Sequence, residues 1–237
     1  KADLETCWQQ WKASGRIALF PIAQSDVSSQ FHIPQKLYGR EQEIEHLLTA
    51  FERVNQGQAE MLLVAGYSGI GKTMLVQEVQ KPMTREHGYF IAGKFDQLQR
   101  NIPYASLTQA FRSLIRQLLT ESDERIARWK EQITAALGAN AQVILDVLPD
   151  LERIIGPQPA VPQLGPMESQ NRFLLSFQNF IQVFTRPDHP LVLFLDDLQW
   201  ADQSSLALLQ SLITTLQQQH LFVIGAYRDN EVSEGHP

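Results

Sequence analysis

A glycine-rich stretch carries the clearest chemical signal in the chain. Eight consecutive residues fit the spacing G-x-x-x-x-G-K-[ST]: Gly66, Tyr67, Ser68, Gly69, Ile70, Gly71, Lys72 and Thr73. Glycines let the backbone turn so that successive N–H groups point at an anion, and the N-terminus of a following helix attracts the same anion. Lys72 adds a positive charge and Thr73 a hydroxyl for Mg²⁺. The spacing predicts a phosphate-binding loop, in which every residue except Tyr67 is a candidate contact; the alternative is a plain glycine turn.

An acidic pair follows a buried-strand pattern farther along the chain. The apolar run 191–195 ends at Asp196 and Asp197. A carboxylate at the end of a strand predicts that Asp196 belongs to a Mg²⁺ shell, through water. Asp197 is then placed to orient or deprotonate an attacking water. The alternative is that the pair caps the next helix.

Two weaker signals lie at other predicted element ends. Arg228 follows the apolar run 221–227 and is a candidate sensor of a terminal phosphate; the alternative is a surface arginine paired with Asp229. Tyr38, Gly39 and Arg40 precede the first predicted helix. Tyr38 offers an apolar face and Gly39 a close backbone approach to a base, but a simple helix-entry turn explains these residues as well.

The elements that position these residues alternate along the chain. Short apolar runs predict strands at 61–65, 89–92, 191–195 and 221–227. Helical spacing of apolar residues predicts helices at 39–54, 72–84, 107–118, 126–137 and 206–216. This alternation predicts an α/β fold with a parallel sheet covered on both faces, the first strand included. In such sheets ligands bind beyond the carboxyl ends of the strands.

Two further segments shape the predicted domain. Five prolines between 149 and 166 predict an ordered surface connection outside the core. Phe173, Phe177, Phe180 and Phe184 recur at helical spacing. Such a stripe predicts a core-facing helix, against the alternative of an aromatic ligand site.

Composition limits the function classes. The chain has 237 residues, of which 43% are hydrophobic and 19% charged, with a formal net charge of −6, so it is a folded domain and a poor general binder of nucleic acid. Cys7 is the only cysteine, which excludes an internal disulfide and fits a reducing compartment. We find no targeting or transmembrane pattern and expect a cytoplasmic location without membrane contact. The six histidines lack metal-ligand spacing.

Taken in order, these motifs resemble the STAND class of AAA-like P-loop ATPases. The resemblance covers residues 36–231, and its most specific part is Asp-Asp-Leu-Gln-Trp-Ala-Asp at 196–202. Within that class the chain resembles the ATPase module of bacterial multi-sensor signalling kinases, serine/threonine and histidine kinases in one polypeptide. The resemblance implies the fold of a P-loop NTPase, a three-layer α/β/α sandwich. This domain would occupy residues 36–237 and would follow a linker at residues 1–35.

The resemblance also implies ligands and roles. ATP or ADP with Mg²⁺ would be bound, with Thr73 and Asp196 at the metal. Lys72, Asp197 and Arg228 would serve hydrolysis as phosphate ligand, water-polarising acid and γ-phosphate sensor. Tyr38, Gly39 and Arg40 would line the adenine pocket. Expected partners are the flanking kinase and sensor domains, with oligomerisation also open.

Two departures from the family pattern refine the expectation. AAA-type motors carry Glu at the position of Asp197, so the shorter acid implies slow, switch-like turnover. Family members continue past the fourth strand into a fifth strand and a helical lid, so the domain is expected to be C-terminally incomplete, with its first strand at an open sheet edge. The alternatives to a regulatory ATPase are a nucleotide-stabilised scaffold without turnover, a small-molecule phosphotransferase and the ATPase module of a transcriptional regulator.

Overall fold

The chain divides into two compact units, Lys1–Lys36 and Leu37–Pro237. The computed structural model describes residues 8, 10–12, 15–16, 39–85, 88–215 and 219–232. In the first unit Trp8 and residues 10–12 are helical, and Lys12 Nζ lies 5.4 Å from the centroid of the Trp8 ring. Cys7 and most of the predicted linker lie outside the described residues.

Strands and helices alternate through the described part of the second unit. The strands are β1 (Glu60–Ala65), β2 (Tyr89–Lys94), β3 (Leu191–Asp196) and β4 (Leu221–Tyr227). The α-helices are α1 (Glu41–Asn55), α2 (Lys72–Arg85), α3 (Ala105–Leu118), α4 (Asp123–Leu137), α5 (Ala141–Leu145), α6 (Glu152–Ile155), α7 (Pro166–Gln182) and α8 (Gln203–Thr215). Each predicted strand and helix is present, with shifted ends. Among the residues described, no helix is long and apolar enough to cross a membrane.

All four strands form one parallel sheet in the order β1-β4-β3-β2. Leu191, the first residue of β3, pairs with Tyr89 of β2 and Leu221 of β4. Parallel neighbours need crossover connections, which the helices supply. Because all strands run the same way, their carboxyl ends meet at one edge of the sheet.

Alternate residues of each central strand enter two separate cores. Leu191, Leu193 and Leu195 of β3 pack with α3, α4, α7 and α8. Val192 and Phe194 pack on the opposite face with α1 and α2. This alternation explains why β3 is buried at every position. The predicted α/β/α layering is confirmed.

The phenylalanine stripe belongs to the larger core. Phe173, Phe177, Phe180 and Phe184 are all buried. The Phe111 ring of α3 meets Phe177 edge-on, with ring centroids 5.2 Å apart. This contact is a preferred aromatic packing geometry. The structure therefore confirms the packing interpretation of the stripe.

The expectation that the first strand is buried on both faces is wrong. β1 pairs with β4 alone among the described strands, so it forms an edge of the sheet. None of its residues is fully buried, and Leu63 is 55% exposed. The apolar run alone thus indicated a strand without showing its open side, whereas the expectation from the family resemblance that the first strand lies at an open sheet edge is confirmed.

The segment 149–166 also departs from the prediction. Residues 149–155 form a 3₁₀ turn (Pro149–Leu151) followed by α6, and both contribute to the core. Leu151, Ile154 and Ile155 are buried there. Only residues 156–165 lack regular structure. The prolines thus mark turns at the two ends of a packed segment, and the interpretation of 149–166 as lying wholly outside the core is corrected.

The close approach of α3 to β2 depends on Gly93. A Cβ added at Gly93 would lie 3.0 Å from the backbone carbonyl carbon of Ser106 and closer to its oxygen. Since backbone yields less than a side chain, we expect Gly93→Ala to lower the free energy of unfolding by about 1–3 kcal/mol. Ala92→Val, at the neighbouring exposed position, is the control and should change it by less than about 0.5 kcal/mol. Urea denaturation measures both, and equal stabilities would contradict this account.

Candidate phosphate and metal site at the carboxyl edge

The glycine-rich loop joins the end of β1 to the start of α2. Gly69 and Gly71 have φ angles of 80° and 96°, in the left-handed region that favours glycine. The loop therefore makes a tight turn before the first turn of α2. This is the strand–loop–helix context that the sequence pattern required.

Lys72 folds back over the loop that precedes it. Its Nζ donates to the backbone oxygens of Gly66, at 2.6 Å, and Tyr67, at 2.9 Å. Carbonyl groups orient the ammonium without neutralising it. No carboxylate in the described part of the chain forms an ion pair with Lys72, so its positive charge is available to an anion.

The first metal-site prediction concerns two residues that are far apart in sequence. Thr73 Oγ1 donates to Asp196 Oδ2 at 2.9 Å, which joins the start of α2 to the end of β3. Asp196 Oδ1 accepts from the backbone N–H of Asp197 at 3.0 Å. A hydroxyl and a carboxylate are hard oxygen ligands of the kind Mg²⁺ takes. The described residues contain no cluster of three His, Cys, Asp or Glu side chains, so a metal cage built wholly from such side chains is not present there.

Asp197 is a buried carboxylate with three partners. Lys94 Nζ lies 3.2 Å from Oδ2, while Oδ1 faces Arg228 Nε at 3.2 Å and accepts from Gln199 Nε2 at 3.0 Å. Burial opposes the charge, but the hydrogen bonds from Gln199 and Lys94 and the charge of Arg228 hold the pKa of Asp197 below its usual value. Asp197 is therefore a firmly ionised and weakly basic group.

Arg228 is fixed from several sides. Besides Asp197, its guanidinium contacts Glu231 Oε1 at 2.7 Å and lies 4.9 Å from the centroid of the Trp200 ring. The alternative, a pair with Asp229, is not what the structure shows.

The last acid of the motif, Asp202, caps the N-terminus of α8. Its carboxylate accepts a hydrogen bond from the backbone N–H of Ser205 at 2.8 Å, as an N-cap does.

A cavity of about 270 Å³ borders the loop at Ile70 and Gly71. Its floor is apolar, and its polar lining residues are Arg40, Glu43 and His46, from α1 and the residue before it, and Lys72 of α2. Arg40 pairs with Glu43 at 2.7 Å. Gly39 has a φ of 73° and lies at the entry to α1, as the alternative of a helix-entry turn predicted. Arg40 nevertheless lines the cavity, so the turn does not exclude a role in binding a base. Tyr38 lies outside the described residues.

The structure thus brings together most of the predicted residues at one edge of the sheet. Lys72, Thr73 and Asp196 form one group, and Asp197 and Arg228 form a second. Sequence reasoning gave no role to Lys94, or to Gln199 and Trp200 of the motif at 196–202. Lys94 ends β2 two residues beyond the predicted strand 89–92, so the rule that found Asp196 and Arg228 stopped short of it.

The fold and this edge define the chain as an α/β protein of the P-loop NTPase type. Its sequence matches the model of the AAA ATPase domain over residues 36–224. The chain therefore belongs to the AAA ATPase domain family. ATP hydrolysis and nucleotide binding, usually with Mg²⁺, are the general properties of this family.

Two relatives place this domain in signalling proteins. Hybrid signal transduction histidine kinase G of Dictyostelium discoideum is 39% identical over 199 residues, which are 84% of this chain and 6% of that protein. Histidine protein kinase 1 of Candida albicans is 19% identical over 191 residues, 75% of this chain and 8% of that protein. The chain thus spans less than a tenth of either. Both are named histidine kinases, which supports the signalling context and gives no support to the serine/threonine part of the expectation.

The charges around Asp197 generate a prediction about its pKa. Removing Lys94 takes away a donor and a positive charge, so the pKa of Asp197 should rise in Lys94→Ala. Carboxyl carbon-13 NMR titration of the metal-free protein measures this. Lys130→Ala, which removes an exposed lysine from α4, should leave the Asp197 titration unchanged. The same midpoint in wild type and Lys94→Ala would show that Lys94 does not hold the charge of Asp197.

Proposed function

We propose that this chain binds ATP with Mg²⁺ and hydrolyses it slowly, as a regulatory switch of STAND type within a signalling protein. The observation that carries the proposal is the Thr73–Asp196 hydrogen bond at 2.9 Å, at the start of the helix whose first residue, Lys72, bonds back to the glycine-rich loop. This hydrogen bond connects the start of α2, which follows the proposed phosphate-binding loop, to the end of β3, where Asp196 would hold Mg²⁺.

The phosphates would be held by the loop residues and by Lys72. Backbone N–H groups of Gly66, Ser68, Gly69, Ile70 and Gly71 would face the anion, together with the N-terminus of α2. Lys72 would exchange its two carbonyl acceptors for phosphate oxygens, which gain more from its charge. The residues fit Mg²⁺, which when bound neutralises charge on the phosphates, and Thr73 and Asp196 would hold it.

Asp197 would orient the attacking water. Its Oδ2 faces Lys94 Nζ at 3.2 Å, and a carboxylate oxygen has a second lone pair with which it can accept a hydrogen bond from water. A carboxylate with a lowered pKa is a poor proton acceptor, because general bases work best near the operating pH. The lowered pKa of Asp197 therefore supports a water-orienting role with slow turnover. Arg228, 3.2 Å from Asp197, would sense the γ-phosphate.

The cavity beside the loop would receive the base. Its apolar floor of Leu47, Leu62, Val64 and Leu75 suits the face of a purine, and Arg40 lies at its polar side. Gly39 and Tyr38 are proposed as further contacts of the base. We propose that residues 36–237 act as the nucleotide module, residues 1–35 as a linker, and the flanking kinase and sensor regions, or further copies, as its partners.

A second candidate function follows from the ion pairs and the hydrogen bond that hold Asp197. Lys94, Arg228 and Gln199 occupy three of the acceptor positions of Asp197. If these partners are retained with nucleotide bound, the domain is a scaffold stabilised by ADP or ATP without turnover. Binding and hydrolysis must therefore be tested separately.

Binding is tested by Lys72→Ala. We expect the affinity for ATP and ADP with Mg²⁺ to fall by about 10- to 100-fold, because hydrogen bonds to charged groups are lost. Isothermal titration calorimetry measures it, with Lys81→Ala as the control because Lys81 is an exposed lysine on the same helix. Equal affinity of Lys72→Ala and wild type would refute the phosphate site.

Hydrolysis is tested by Asp197→Asn. The amide keeps the size of the side chain and loses its charge, so phosphate release should fall by about 100-fold or more while ATP affinity changes little. Phosphate release and calorimetry on the same samples separate the two effects. Wild-type protein that binds ATP and releases no phosphate would establish the scaffold instead.

A further inference from the structure

Gln199 bridges the ends of the two central strands. Its Nε2 donates to Asp197 Oδ1 at 3.0 Å, and its Oε1 accepts from the backbone N–H of Arg228 at 3.2 Å. The side chain is buried, with 3% of its residue surface exposed. A buried amide bonded at both ends is held in one orientation.

That orientation is imposed by the backbone. The N–H of Arg228 can only donate, so it must meet the amide oxygen of Gln199. The amide nitrogen is then left to face Asp197, where it needs an accepting oxygen. The bridge thus has a direction that runs from the backbone after β4 to the carboxylate after β3.

The bridge lies where the β-ladder stops. The pairing of β3 with β4 ends at Leu195 and Gly225, although each strand continues beyond that pair. The turn Leu198–Trp200 is accommodated there because Leu198 lies against Gly225, where an added Cβ would clash with it. Side-chain hydrogen bonds of Gln199 therefore take over where backbone pairing ends.

We propose that Gln199 is a positioning residue that fixes Asp197 and Arg228 relative to each other across the diverging ends of β3 and β4. Arg228 then moves only together with the carboxylate. This inference rests on the proposed function for its consequence: the acid that orients water and the arginine that senses the γ-phosphate respond as one unit. ATP and ADP would be distinguished through this unit.

The test uses variants that break the bridge in different ways. Gln199→Met removes both hydrogen bonds at similar length. Gln199→Glu keeps the acceptor for Arg228 but places a carboxylate against Asp197. The double variant Asp197→Asn with Gln199→Glu reverses the direction of the bond, since the amide of position 197 now donates to position 199. Gln203→Met, at an exposed glutamine on α8, is the control.

Hydrogen exchange of the Arg228 amide, followed by NMR without nucleotide, is the first readout. We expect exchange about tenfold faster in Gln199→Met, which lacks the acceptor, and in Gln199→Glu, because repulsion from Asp197 displaces the new carboxylate from the Arg228 N–H. In the double variant the rate should return to near that of wild type. Gln203→Met should match wild type. Thermal unfolding identifies any variant that does not fold, and the double variant still decides the question if Gln199→Met fails.

The preference for ATP over ADP, measured by calorimetry, is the second readout. It should fall about tenfold in both single variants and recover in the double variant, whereas phosphate release stays lost because Asp197 is absent. If the double variant does not restore the wild-type exchange rate of the Arg228 amide, the proposal that Gln199 fixes Asp197 and Arg228 relative to each other is refuted. A wild type without preference for ATP would refute the proposed switch, and the exchange measurement would still decide the role of Gln199.

Discussion

The parallel direction of the four strands is the constraint on which the site depends. Because β2, β3 and β4 all end at one edge, Lys94, Asp197 and Arg228 meet there although they are far apart in sequence. β1 ends at the same edge and leads into the glycine-rich loop. An antiparallel strand in any of these positions would have sent one of the charges to the opposite side of the molecule.

Much of this arrangement could be predicted because apolar runs mark central strands. The apolar runs 191–195 and 221–227 form most of β3 and β4, and the residue after each run is charged. Doubly covered parallel sheets place ligands beyond those ends. The positions of Lys72, Thr73 and Asp196 followed from this rule and from the loop spacing, and the structure brings the three together.

The rest escaped prediction because it depends on neighbours in space. The apolar run of β1 suggested burial on both faces, because strand order is not specified by such a run; its open edge was expected only from the family resemblance. Leu151, Ile154 and Ile155 enter the core through turns that prolines make possible, and proline content alone suggested a loop. Gln199 belongs to the motif at 196–202, but the motif assigned it no role, since that role arises from one backbone N–H at the end of another strand.

Asp197 shows how the fold stabilises a conformation that the residue alone would avoid. It has a φ of 56°, a left-handed backbone that is uncommon for a residue other than glycine, and its carboxylate is buried. Partners from three elements, Lys94, Gln199 and Arg228, offset both costs. Removing any one of them would leave the charge less well compensated, so the other two would have to shift. The positions of these side chains therefore depend on one another. A ligand that draws Arg228 away must also change the surroundings of Asp197. A loop that only bound phosphate would need no such linkage, whereas a domain that reports which nucleotide it holds does.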